Sequence, residues 1–207
     1  MPLADLLRSR AFAIGAATVL ALTTAVGAAW FVLPPAISSM AGGEATVGGP
    51  FRLTDQHGAT VTQQDFAGRY MLIYFGYTFC PDVCPLSLAN MTQALDLLPP
   101  DQAEQVVPIF ITVDPERDTV AQLAEYAPLF HPRLVALTGS PEAIKAAARA
   151  YRVYFAKAGK DGSDDYLMDH STFIFLMGPD GRYVRHFAHN AAPEEIAAAI
   201  GAALAQG

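Results

Sequence analysis

YMLIYFGYTFCPDVCPLS, residues 70–87, joins an apolar run to two cysteines, each followed by a proline. Residues 70–77 are aliphatic and aromatic with no polar alternation, the pattern of a strand buried on both faces of a parallel or mixed sheet. A helical pattern follows from about Leu86 to Leu98, and Pro99-Pro100 stops it. Cys80 and Cys84 therefore stand where a strand ends and a helix opens. Unpaired N–H groups and the positive end of a helix dipole favour thiolates at such a place. A spacing of four puts both sulfurs on one face of a helical turn, with α-carbons about 6 Å apart, within reach of a disulfide. The pair can be a dithiol, a disulfide or a bidentate soft ligand. Pro81 suits a first helical position and Pro85 a restart, so the turn is stiffened without needing N–H bonds.

Working outward, VVPIFITVD (106–114) reads as a second buried strand. Helical periodicity covers 119–130 and 141–151, with a short strand at 134–137 between them. Upstream, 51–53 and 60–62 flank TDQHGA as a hairpin. Downstream come a strand STFIFLM (171–177), a Gly178-Pro179-Asp180-Gly181 turn, a strand RYVRHFA (182–188) and a helix over 193–206. This order predicts an α/β fold with a mixed central sheet. AGKDGSDDY (158–166) is polar enough for a surface loop.

The chain of 207 residues carries 13 Lys and Arg against 20 Asp and Glu, a net charge of -7 that repels a phosphate backbone and argues against nucleic acid as a partner. Charged residues make up only 16% against 52% hydrophobic, below the roughly 25% charge of soluble domains, so some segment should live outside water. AFAIGAATVLALTTAVGAAWFVL (11–33) is that segment: it has no charge, and as a helix it spans about 35 Å against a hydrocarbon core of about 30 Å. A cleaved secretory signal is the alternative, but its apolar region runs only about 7 to 15 residues. Arg8 and Arg10 precede the span and Trp30 sits near its far end. Residues 1–10 should therefore be cytoplasmic, 11–33 a transmembrane anchor, and everything after Pro34 outside. Residues 34–49, rich in Pro, Gly, Ser and Ala, read as a linker, and 50–207 as the domain. The expectation is a bacterial inner-membrane protein facing the periplasm. Its two cysteines close too short a loop to staple such a fold, so they point to chemistry.

Three separated motifs carry a family resemblance: CPDVCP after the first core strand, VDPERDT (113–119) and YLMDHSTFIFLMGPDG (166–181). In this order they resemble the Sco/SenC family of copper proteins needed for cytochrome c oxidase assembly, over roughly 50–207. The resemblance implies a thioredoxin-like fold. It makes Cys80 and Cys84 thiolate ligands and His170 the third ligand, with copper, as Cu(I) and Cu(II), the metal. It also implies a metallochaperone whose partner is the copper-bearing subunit of cytochrome c oxidase, with another periplasmic copper chaperone or a thiol reductant as a further partner. The donor chemistry agrees, because two sulfurs and one nitrogen suit copper and are sparse for structural zinc, which takes four closed ligands. Two thiolates, a neutral imidazole and Cu(I) sum to a charge of -1, which a helix N-terminus partly offsets.

His170 is read as beginning the strand 171–177, with Asp169 as a partner that could orient its ring. Met168 reads as packing. His57, in a turn, His131, before Pro132, and His186 and His189 carry no ligand signal. DPERDT (114–119) reads as a turn and helix start capped by Asp118 or Thr119, or else as an acidic docking surface that includes Asp114. The competing activity is thiol-disulfide exchange that reduces the oxidase's copper-site cysteines. Redox thioredoxins use CxxC with a cis proline before the facing strand, whereas this chain has CxxxC and His170-Ser171-Thr172. A peroxidatic PxxxTxxC pattern also fails, since Thr78 lies two before Cys80 and Ile73 takes the proline's place.

Overall fold

Strand β3 (Tyr70–Gly76) is buried along its whole length, and Leu72, Ile73, Tyr74 and Phe75 expose no surface. At about 1.5–3 kcal/mol for each large apolar side chain removed from water, this one strand is a principal source of core stability. Its burial follows from its place in the middle of the sheet. In a computed structural model that describes residues 47–159 and 166–206, seven strands line up in the order β2-β1-β5-β4-β3-β8-β9. They are β1 (Arg52–Asp55), β2 (Thr60–Thr62), β3, β4 (Val106–Thr112), β5 (Val135–Thr138), β8 (Ile174–Met177) and β9 (Tyr183–Phe187). β3, β4 and β5 run parallel, while β8 pairs antiparallel with β3, and β1 with β5. The sheet is mixed, as the element order predicts.

The helices are α1 (Val83–Asp96), a short α2 (Pro100–Ala103), α3 (Val120–Tyr126), α4 (Pro141–Ala150) and α5 (Pro193–Leu204). α1 packs on β3 and β4 and against α5, α3 packs on β5, and α4 packs on β1. α1 begins at Val83, earlier than the Leu86 read from periodicity. Pro85 falls within its first turn, where the backbone N–H has no intrahelical partner to lose. The helix expected over 119–130 ends at Tyr126 and continues as a 3-10 turn through Leu129.

The principal departure lies between β5 and β8. Phe155–Ala158 (β6) and Leu167–His170 (β7) pair antiparallel as a separate two-stranded sheet. His170 therefore closes β7 and does not open the next strand, which starts at Ile174. The polar stretch 158–166 hides this pairing from a short-range reading, because β6 is a mere FAKA with no alternation of its own. Packing also starts ahead of Pro50: Val47 lies against the core and Gly48 donates its N–H to the Ala150 carbonyl at 2.9 Å.

The expected anchor 11–33, the segment 1–10 before it and most of the linker 34–49 lie outside the described residues, as do residues 160–165 of the polar loop. Among the described residues no helix is long and apolar enough to cross a membrane.

Candidate metal centre

β3 delivers the chain to Tyr77 on the buried side of the sheet, and the turn 78–82 leads into α1. Gly76 is required there by close approach: a Cβ on it would meet the Cys84 sulfur at 2.9 Å, a Tyr74 ring carbon at 2.8 Å and a Phe110 ring carbon at 3.0 Å. Cys84 is fully buried in the first turn of α1, and Cys80, ahead of the helix, is half-buried. Both are free thiols. The Cys84 N–H donates to the Cys80 sulfur at 3.4 Å, so sulfur does the capping that the Asp82 side chain does not.

The two sulfurs share protons unequally. The Cys84 thiol donating to Cys80 is the main cause that pulls the Cys80 pKa far below its ordinary value, helped by the N–H groups of Asp82 and Cys84, against the effect of burial. The same hydrogen bond, with burial, pushes Cys84 up. Tyr74 donates its hydroxyl to the Cys84 sulfur at 3.7 Å, a second donor on that side. Cys80 is thus the more acidic sulfur, and Cys84 the one that keeps its proton.

His170 arrives from β7 across 86 positions of sequence, and its Nε2 lies 3.5 Å from the Cys84 sulfur. Its Nδ1 faces the Ser171 carbonyl at 3.0 Å. A carbonyl only accepts, so Nδ1 carries the proton and the Nε2 lone pair is turned toward the sulfurs. The imidazole is held edge-on against the rings of Tyr74 and Tyr77, with centroids 6.1 and 5.8 Å away. Among the described residues no three His, Cys, Asp or Glu side chains form a ready-made cage. Yet sulfur and nitrogen bonded to one ion at about 2.0–2.3 Å each stand about 3.5 Å apart. The observed contact therefore fits one ion between them with little movement.

The other sequence readings divide. Asp169 is exposed and does not orient the ring, because strand alternation turns it to the opposite face from His170; the Ser171 carbonyl takes that place. Met168 is buried in the core. His131 accepts instead from the Arg133 N–H at 3.0 Å, His186 pairs with the Tyr183 hydroxyl, and His189 with Thr172. The acidic docking surface is corrected: Asp114 and Asp118 are buried, and of the acidic residues of that motif only Glu116 faces solvent. Thr119, not Asp118, caps α3, accepting from the Gln122 N–H at 3.3 Å.

Asp118 does something the sequence did not reveal. Its carboxylate accepts from the Thr78 N–H at 3.0 Å, the Thr78 hydroxyl at 2.6 Å and the Thr112 hydroxyl at 2.6 Å. It fastens the cysteine loop to the end of β4. Burial raises its pKa despite these donors. No local signal marks such a latch, because Thr78 lies 40 positions from Asp118; a threonine just ahead of the first cysteine is the faint clue.

The SCO1/SenC profile matches residues 39–205. The chain is 47% identical over 148 residues to the mitochondrial protein SCO1 homolog 1 of Arabidopsis thaliana, covering 72% of this chain and 44% of that protein. It spans about half the length of the curated relatives it matches. The copper-bound structure of Bradyrhizobium japonicum ScoI superposes with a TM-score of 0.70 at 45% identity, covering 76% of this chain and 99% of that one. BsSco, a member of the Sco family of cytochrome c oxidase assembly proteins in which a disulfide switch has been identified, superposes at 0.61 with 27% identity, covering 78% of this chain and 95% of its own. A profile match spanning the sheet, the cysteine turn and the histidine strand, joined by relatives of this identity, establishes that the chain belongs to the SCO1/SenC family.

Proposed function

We propose that the protein is a copper metallochaperone that binds Cu(I) and Cu(II) through Cys80, Cys84 and His170 and passes copper to the copper centre of cytochrome c oxidase. The observation that carries this reading is the meeting of the His170 Nε2 with the Cys84 sulfur at 3.5 Å. Copper-bound relatives of the same fold support the choice of metal. Three ligands leave one side of the ion open, which a delivery protein needs, since the acceptor's ligands must enter before the donor's leave. A half-buried Cys80 beside a buried Cys84 gives that exchange a direction: the exposed sulfur is the one an incoming ligand displaces first.

In this reading the charge-free span 11–33 anchors the domain in the bacterial inner membrane and Arg8 and Arg10 keep the N-terminus inside, so that the domain works in the periplasm. The copper-bearing oxidase subunit is the acceptor, and a second copper chaperone or a thiol reductant supplies the reduced, loaded site.

The test is the copper content and ligand dependence of the full chain, purified reduced. One copper per chain is expected, with loss of both Cu(I) and Cu(II) in Cys80→Ser or Cys84→Ser. In His170→Ala the Cu(II) spectrum should change most, because imidazole suits the harder ion. A second reading, thiol-disulfide exchange toward the oxidase's cysteines, is favoured by the lowered Cys80 pKa and by the disulfide switch of BsSco. It requires the sulfurs but no histidine ligand.

A further inference from the structure

The histidine strand has a docking problem. Among the described residues β7 pairs only with β6, and neither strand joins the seven-stranded sheet that carries the cysteine turn. Backbone hydrogen bonds of the main sheet therefore do not place the His170 imidazole, and side chains must.

Arg117 is built for that task. Its Nε pairs with the carboxylate of Asp114, a residue 1% exposed that is itself fixed by the Thr112 hydroxyl at the end of β4. Its Nη1 donates to the Tyr166 carbonyl at 2.9 Å, at the entry to β7. The guanidinium carbon sits 3.7 Å over the Tyr166 ring, 4.7 Å over the Phe79 ring and 5.9 Å over the Tyr77 ring. The Tyr166 hydroxyl donates to the other Asp114 oxygen at 2.8 Å, closing the set. Phe79 directly precedes Cys80, Tyr77 holds the edge of the His170 ring, and Tyr166 leads into the strand that ends at His170. One planar cation thus touches the cysteine loop, the β4 end and the histidine strand at once, which the single point charge of lysine does not reproduce. Lys157 and Glu116 also join the hairpin to this turn at 2.6 Å, but both are well exposed, and such pairs hold little.

We propose that Arg117 is a positioning residue: stacked between Phe79 and Tyr166 and anchored on Asp114, it clasps the β6–β7 hairpin to the cysteine loop and sets where the His170 imidazole stands relative to the two sulfurs. This rests on the ligand set Cys80, Cys84 and His170 proposed above. Its consequence is selective. Loosening the clasp withdraws the nitrogen ligand and leaves the sulfurs in place, so Cu(II) binding suffers and Cu(I) binding, which two thiolates satisfy, does not.

The experiment titrates the full chain, and its Arg117→Lys, Phe79→Ala and His170→Ala variants, with Cu(I) under reducing conditions and with Cu(II). It reads affinity and the nitrogen hyperfine coupling of bound Cu(II). Arg117→Lys keeps a cation beside the buried Asp114, and Phe79 is half exposed, so both variants should keep the fold, as circular dichroism will show. Arg117→Lys should hold Cu(I) within about threefold of the parent and lose Cu(II) affinity by about tenfold or more, with the nitrogen coupling weakened as in His170→Ala. Phe79→Ala should move Cu(II) the same way by a smaller factor. If Arg117→Lys and Phe79→Ala match the parent in Cu(II) affinity and coupling while His170→Ala does not, the clasp is overturned and the ligand set stands. If His170→Ala also matches the parent, the ligand set itself is overturned, and the clasp with it.

Discussion

A methyl group on Gly76 would stand 2.8–3.0 Å from a sulfur and two aromatic rings, all of them buried, and none is the free end of a flexible chain. Gly76→Ala is therefore expected to destabilise the protein by about 1–3 kcal/mol, the usual cost of overpacking, and to spread the two sulfurs. Thermal unfolding and Cu(I) affinity measured together check this, and unchanged values in both would show that the turn has slack. The cysteines make a second prediction at this scale. Because the Cys80 pKa is lowered, its thiolate persists as pH falls, so its alkylation by iodoacetamide should stay nearly flat from about pH 8 to pH 6, where an ordinary thiol slows about tenfold per unit. Cys84, with its pKa raised and its side chain buried, should stay unmodified throughout this range. A Cys80 rate that titrates near pH 8.5 would contradict the shared-proton account. This asymmetry was half legible: the strand-to-helix position marks both sulfurs as acidic, but which one holds the proton depends on the hydrogen bond from Cys84 to Cys80 and on the burial of Cys84, and spacing carries neither.

Elements place the residues, and here the loop after β4 matters most. Asp118→Ala removes the acceptor of three hydrogen bonds from Thr78 and Thr112, leaving the buried Thr112 hydroxyl and the half-buried Thr78 donors unpaired, at a cost of about 2–4 kcal/mol. Asp118→Asn keeps an acceptor and should lose less, and urea unfolding of both variants separates the cases. Because burial raises the Asp118 pKa above its unfolded value, this group's titration favours the fold at low pH and loses that contribution as pH rises through the folded value. Asp118→Asn should therefore narrow the stability gap between mildly acidic and neutral pH, and an unchanged gap would assign the pH dependence elsewhere. Long apolar strands such as YMLIYFG and VVPIFIT were plain in the sequence because burial on both faces leaves an unbroken run. β6 and β7 were not, since FAKA and LMDH take their pairing from each other and not from their composition. The same lack explains why the sequence points to His170 as opening the next strand when it closes β7.

For the whole molecule, the proposed function joins the charge asymmetry about residues 11–33 and the ligand set Cys80, Cys84 and His170 into one device, a tethered copper carrier. A reporter fused after Gly207 should be active only if it works outside the cytoplasm, whereas a mature N-terminus beginning after about residue 29 would replace the anchor with a cleaved signal. The central claim is copper delivery, and it separates from thiol exchange because both need the sulfurs while only coordination needs the imidazole. Disulfide exchange runs on the Cys80 thiolate, which a neighbouring ring tunes without bonding to the reacting sulfur. The most direct test is oxidase maturation at limiting copper in cells carrying His170→Ala, with the dithiol reactivity of the same variant measured alongside. Delivery predicts reactivity within about tenfold of the parent, a barrier change of about 1.4 kcal/mol, and loss of most maturation. Near-normal maturation in His170→Ala, together with failure in Cys80→Ser, would contradict delivery and make the protein a thiol reductant of the oxidase.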